Sequence, residues 1–245
     1  NGYNHISFDK LEIIDRKKTK IIHLNDISKL PNKLKNKVYR DLKNIKKKRT
    51  FKKLNLSNIP ILMGIINLTP DSFSDGGKFN KKKKSFERIK QMINSGAEII
   101  DIGGESTRPG SKTIKEKIEW KRVENVLKKF KKKFNKTCLS FDTRKSDLMI
   151  RGIKHGVDLI NDVSGFKYDT NSLTKIKKFK IGKVFHHMQG TPNTMQINPK
   201  YQNVLLDIYD FFESKLRYIR KQGIKHNNII LDPGIGFGKN LKHNI

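Results

Sequence analysis

Cysteine is almost missing from this sequence. Cys138 is the single one among 245 residues, so no internal disulfide can form. It stands in the apolar run Cys138–Phe141, where a small core residue is expected rather than a nucleophile. Acidic residues are also scarce, 23 Asp and Glu against 54 Lys and Arg, which leaves a net charge of +31. Such an excess suits nucleic acid, an anionic membrane face or anionic substrates. The Lys residues, however, are spread over almost every expected helix instead of gathering beside aromatic stacking positions. The reading is therefore a Lys-, Asn- and Ile-rich composition, and nucleic acid is not the expected partner. No apolar stretch approaches the length that spans a bilayer, and Asn1 opens no signal-peptide pattern. A soluble, reduced, cytoplasmic protein follows, with no membrane partner. The first residue is not Met, so a fragment is expected at that end.

What is present falls into two parts. Residues 1–59 form a basic extension and linker: two short strands at Ile6–Ile14 and Lys20–Leu24, then a helix over Pro31–Lys48. Pro31 sits early, where its missing donor costs little. Leu34, Val38, Leu42 and Ile45 make one apolar stripe along this helix. The Lys-rich segment Lys46–Lys53 reads as a linker, and no catalytic motif occurs here.

From residue 60 to 245 short apolar runs alternate with longer amphipathic ones. The runs are Ile61–Ile66, Glu98–Ile102, Cys138–Phe141, Asp158–Ile160, Lys183–His186 and Ile229–Leu231. Helices are expected near Ser85–Ser95, Ile114–Phe134, Ser146–His155, Ser172–Phe179 and Tyr201–Gln222. This alternation is the mark of repeated βαβ units and a parallel sheet covered on both faces. Each run carries polar residues at its C-terminal edge: Asn67; Asp101 with Glu105; Asp142 and Thr143; Asn161 and Asp162; His187 to Gln189; Asp232. A doubly wound sheet binds ligands only around its switch point, whereas a (β/α)8 barrel gathers all of these edges on one rim. The expected fold is α/β, a TIM barrel incomplete at about six βα units.

Three loops carry the chemistry. Asn67-Leu68-Thr69-Pro70-Asp71-Ser72-Phe73-Ser74-Asp75-Gly76-Gly77 is long for a βα loop and suits a mobile substrate loop. Gly103-Gly104-Glu105-Ser106-Thr107-Arg108-Pro109-Gly110 sets an Arg among hydroxyls and amides, as an anionic oxygen group requires. Asp232-Pro233-Gly234-Ile235-Gly236-Phe237-Gly238-Lys239 is one residue short of a phosphate-binding P-loop, and Asn240 replaces its Ser or Thr. A tight loop that lets backbone approach a flat ligand fits it better. Asp142, Asn161 and Asp232 supply acceptors and an amide able to read an amino-pyrimidinone edge, or else they cap the helices that follow. His186 and His187 are strand neighbours that point to opposite faces, so a two-His metal site is not expected of them.

Together these loops resemble the dihydropteroate synthase family. Met63 to Gly77 and Gly96 to Gly110 look like its two long signatures. Ser140-Phe141-Asp142-Thr143, Ile160-Asn161-Asp162-Val163, His187-Met188-Gln189-Gly190 and Asp232 to Lys239 follow in family order. The resemblance implies a pterin-binding TIM barrel of folate biosynthesis. Its reaction condenses 6-hydroxymethyl-7,8-dihydropterin pyrophosphate with 4-aminobenzoate, releasing pyrophosphate. By position it implies Asn67 as a Mg2+ ligand, and Asp142, Asn161 and Asp232 as the pterin-recognising groups. Met188 falls in a matching segment and is taken with the substrate-binding residues. Thr107 and Arg108 match residues near the aminobenzoate and pyrophosphate sites, Phe73 and Asp75 a closing loop, and Phe237 the aminobenzoate pocket. Asp75 and Arg108 are the catalytic assignments.

The family's later Ser-Arg-Lys and Arg-x-His segments do not occur here. The expectation is a truncated chain lacking the last two strand–helix units, with little or no activity, from an enzyme that is a homodimer at full length. The rivals are another pterin-binding barrel of the methyltetrahydrofolate methyltransferase type, a basic nucleic-acid-binding protein, and a protein that holds pterin without catalysis.

Overall fold

The computed structural model describes residues 7–47, 49–52, 54, 56, 60–69, 78–106, 111–191 and 193–245, with the side chains of 78–83 set aside. The chain divides into two compact units, Asn1–Pro60 and Ile61–Ile245.

In the first unit, β1 (Lys10–Ile14) pairs antiparallel with β2 (Thr19–His23). Asp15 closes the hairpin: its Oδ1 accepts from the backbone amides of Lys17 and Lys18 at 2.7 and 2.9 Å. Helix α1 (Asn32–Lys46) buries Val38 and Leu42 against Ile22 and Ile27, with Leu34 packed beside them. Ile45, expected on the same stripe, is exposed in the last turn.

The second unit is a six-stranded parallel sheet in the order β3 (Leu62–Asn67), β4 (Ala97–Gly103), β5 (Cys138–Asp142), β6 (Leu159–Asp162), β7 (Gly182–His186), β8 (Ile229–Asp232). Each strand from β4 to β8 pairs with the one before it in sequence, so the described strands of this sheet have no switch point. That is the connectivity of a barrel wall rather than a doubly wound sheet. The wall is open among the described residues, and edge strand β3 exposes Leu62, Met63 and Ile65.

Helices α2 (Lys78–Asn94), α3 (Glu116–Lys133), α4 (Ser146–Lys154), α5 (Ser172–Ile176) and α6 (Val204–Lys221) follow β3 to β7, and α7 (Leu241–Asn244) follows β8. Helix α2 begins seven residues before the expected Ser85. The Lys81–Lys84 run lies within it, consistent with the good helix propensity of straight-chain Lys. The apolar core includes Ile100, Ile102, Leu139, Phe141, Ile160 and Phe185 on the strands, packed with Leu127, Phe130, Leu148 and Met149 on the helices. Cys138 is buried, as its apolar run implied.

Strand alternation fixes what the inner face carries. Asn67, Gly103, Asp142 and Asn161 are successive partners in register across β3 to β6. Asp101 and Ser140 are partners one layer below, and His186 and Asp232 are partners on β7 and β8.

Candidate active site

The rim at the C-terminal ends of β3 to β8 holds most of the polar groups singled out in the sequence. Asn67 ends β3 and is exposed. A methyl group placed on Gly103 would lie 3.0 Å from Asn67 Oδ1 and 3.4 Å from Asp142 Oδ2, so these oxygens flank one small space above β4. Asp142 is half-buried, and burial, then the neighbouring Asp101 carboxylate, pushes it well above the usual carboxylate range. Such a group gains from a ligand that brings N–H donors.

Asn161 does not cap a helix. Its Nδ2 donates to Asp101 Oδ2 at 2.9 Å. Asp101 is buried and raised by that burial. The turn after β6 is instead held by Asp162. Its Oδ1 accepts from the Ser164 amide at 2.8 Å and the Ser164 hydroxyl at 2.6 Å, and its Oδ2 from the Phe166 amide at 3.1 Å. Burial pushes Asp162 up to about 6.

Asp232 is partly committed to its own turn, its Oδ1 accepting from the Gly234 amide at 2.8 Å. Phe237 packs edge-on against His186, ring centroids 4.7 Å apart. His186 Nδ1 lies 3.0 Å from Val163 O, while His187 packs edge-on against Phe211 at 4.8 Å. The two histidines diverge, as strand neighbours must. Met188 is half-buried just beyond them.

The G-x-G-x-G-K loop explains itself in the structure. Lys239 is buried, and its Nζ donates to Gly234 O and Phe237 O at 3.0 and 3.1 Å and sits 3.0 Å from His187 Nδ1. Burial lowers it to about 8. This lysine clasps its own loop instead of meeting a phosphate. Gly234 has φ +69° and an added Cβ would fall 2.0 Å from His187 O, so glycine is required there.

A buried charged cluster supports the second loop. Lys145 pairs with Glu119 and with Glu105 at 3.0 Å. Arg144 Nε reaches Glu105 at 2.8 Å, and Thr143 Oγ1 donates to Glu119 at 2.6 Å. Glu105 also accepts from the Ile114 amide at 2.9 Å, so the cluster is joined to Ile114 as well. Burial pushes Glu105 upward, but hydrogen bonds from Arg144, Ile114 and Lys145 outweigh it.

The sequence did not reveal Asp101, Glu119, Lys145 or Lys239 in these roles. Asp101 left a trace, an acid inside the run Ile99-Ile100-Asp101-Ile102, where burial is otherwise apolar. Phe73, Asp75, Thr107 and Arg108 lie outside the described residues.

Among the described residues no group of three or more His, Cys, Asp or Glu could hold a metal ion. A Mg2+ ion at Asn67 would take its amide oxygen together with substrate oxygens and water. A hard cation that dehydrates reluctantly accepts such a shell, and the exposed amide oxygen at the rim fits it.

The family model for pterin binding enzymes matches residues 63–245. Dihydropteroate synthase of Haemophilus influenzae is 42% identical over 191 residues, covering 78% of this chain and 68% of that protein. The chain belongs to the dihydropteroate synthase family. This family of transferases acts in folate biosynthesis. The Yersinia pestis dihydropteroate synthase, solved with a sulfonamide drug complex, superposes with a TM-score of 0.71 at 41% identity, covering 78% of this chain and 68% of that one. The Xanthomonas albilineans dihydropteroate synthase, solved with 4-aminobenzoic acid, gives 0.70 at 32% identity, with coverage of 78% and 67%. Against these synthases the open six-stranded wall is an incomplete TIM barrel.

Proposed function

We propose that the rim binds 6-hydroxymethyl-7,8-dihydropterin pyrophosphate and 4-aminobenzoate as a dihydropteroate synthase does, with Asp142, Asn161 and Asp232 reading the pterin. The observation that carries the residue assignment is the free acceptor capacity on one inner face. Asp142 has a carboxylate raised by burial, Asn161 is tied sideways through its Nδ2, and Asp232 spends one oxygen on Gly234. Remaining acceptors then meet the amine and ring N–H groups of the amino-pyrimidinone. Phe237, held by His186 and by the Lys239 clasp, and Met188 supply apolar contact for the flat rings.

Asn67 would hold Mg2+, which when bound neutralises charge developing on the departing pyrophosphate. The chain's own groups do the rest. As the C–O bond to pyrophosphate breaks, the pterin methylene becomes electron-poor, and Asp75 stabilises that positive charge. Thr107 and Arg108 receive the anionic oxygens. The neutral aryl amine attacks the methylene carbon with its own lone pair and then loses a proton, so neither a strong base nor a covalent enzyme intermediate is needed. Phe73 and the first loop exclude water that would otherwise trap the cation.

Titration with pterin pyrophosphate, with and without Mg2+, followed by aminobenzoate, tests this. Expected is Mg2+-strengthened pterin binding, then aminobenzoate binding that requires the first ligand. Binding to oligonucleotides that weakens steeply with salt, with none to pterin, would replace it with the nucleic-acid reading.

No helix among the described residues is long and apolar enough to cross a membrane. Cytoplasmic location, and a homodimer at full length, complete the proposal; fractionation and sedimentation velocity check them.

A further inference from the structure

We infer that Asp101 is a positioning residue that fixes the amide of Asn161 so that its Oδ1, not its Nδ2, meets the ligand. The geometry is unusual in reach. Asp101 lies on β4 and Asn161 on β6, two strands apart, yet Asp101 Oδ2 and Asn161 Nδ2 are 2.9 Å from each other. The strands between which they bridge are roughly 10 Å apart. The intervening inner-face residue of β5 is Ser140, in register with Asp101, and its small side chain leaves room for the bridge.

An amide can be turned either way, and its neighbours decide. An ionised carboxylate only accepts, so Asp101 takes the NH2 end of Asn161 and rejects the oxygen end. Asn161 Oδ1 is then the end left for a ligand. Asp142, its partner in register, also offers acceptors. The wall therefore presents acceptors side by side and selects a ligand edge made of N–H donors. The neighbouring Ser140 hydroxyl favours the ionised form of Asp101, while Ser140 Oγ and Asp101 Oδ1 are both buried without a hydrogen-bond partner. Burying a carboxylate raises its pKa and costs stability, a cost that a purely packing role at this position would avoid by using an apolar residue.

The inference rests on the reading of Asn161 as a ligand group, and the test separates the two. Binding of 6-hydroxymethylpterin is compared with that of its 2-oxo (lumazine) analogue, in which the exocyclic donor becomes an acceptor. The unaltered chain should prefer the pterin by about tenfold or more. Asp101→Asn, which can donate to Asn161 Oδ1 and release its Nδ2, should bring that ratio towards one. Asn161→Ala should weaken pterin binding whatever Asp101 does. If Asn161→Ala binds pterin normally, the reading of Asn161 fails, and the inference with it. If Asn161→Ala weakens binding but Asp101→Asn keeps the unaltered ratio, the inference alone is overturned. Should Asp101→Asn not fold, NMR of the unaltered chain decides. Side-chain amide protons of Asn161 that are shifted and slow to exchange support the bridge, and those of a free amide overturn it.

Discussion

Asn67 and Asp142 stand on either side of Gly103, their side-chain oxygens 3.0 and 3.4 Å from the point where a Cβ on that glycine would sit. The space is tight enough that Gly103→Ala must push at least one oxygen aside. Both are proposed ligand-binding groups. The expected result is pterin pyrophosphate binding weakened about tenfold, with Mg2+ enhancement reduced, while thermal stability changes little. Calorimetric titration of the variant with and without Mg2+ measures this.

Asp142 sets stability against binding. Its folded carboxyl is raised by burial and by Asp101, so in the ionised form it opposes folding. A raised carboxyl costs stability as pH climbs past its unfolded value near 4. Asp142→Asn removes that cost and should raise Tm by a few degrees near neutral pH. The same change should weaken pterin binding by about tenfold or more, because an acceptor oxygen becomes a donor. Scanning calorimetry and titration on the one variant check both signs.

His187 gives a pH signature of opposite sign. Burial, then the nearby Lys239 cation, lowers its folded value from 6.5 to about 4. The unfolded chain binds more protons between those limits, so stability is lost as pH falls from about 6.5 towards 4. His187→Gln should lose less over that interval than the unaltered chain, by on the order of 2 kcal/mol. Asp162, raised to about 6, opposes the trend in both proteins. The difference between their urea midpoints across pH is therefore the measurement.

Lys145 is the cation of the buried cluster beneath the second loop. Lys145→Met leaves Glu119 buried with Thr143 alone, and Glu105 with one cation fewer. Removing one partner of a buried pair costs about 3–5 kcal/mol. A fall in Tm of about 10 °C is expected, partly recovered in Lys145→Met/Glu119→Gln. Urea denaturation of single and double variants tests the coupling.

The strand–helix alternation was legible because buried parallel strands write themselves as apolar runs, and their polar last residues marked the rim. Asn67, Asp142, Asn161 and Asp232 were found that way. The sequence could not separate capping from ligand binding at these positions. A cap and a ligand group are the same residue type at the same place; in the structure Asn161 turns towards Asp101, and Asp162 folds into its own turn. Lys239 was hidden for a related reason. Spacing argued against a phosphate loop, but no pattern in the sequence shows that Lys239 Nζ turns back onto Gly234 O and Phe237 O and lies beside His187 Nδ1. The early start of α2 was missed because an unbroken Lys run shows no apolar period.

Because each strand from β4 to β8 pairs with the one translated just before it, the inner face is laid down in the order of synthesis. Asp101 leaves the ribosome before Asn161, so the carboxylate is already waiting when the amide that it orients arrives. Asp232 comes last of the acceptors proposed for the pterin, so a nascent chain carries all three only when β8 has emerged.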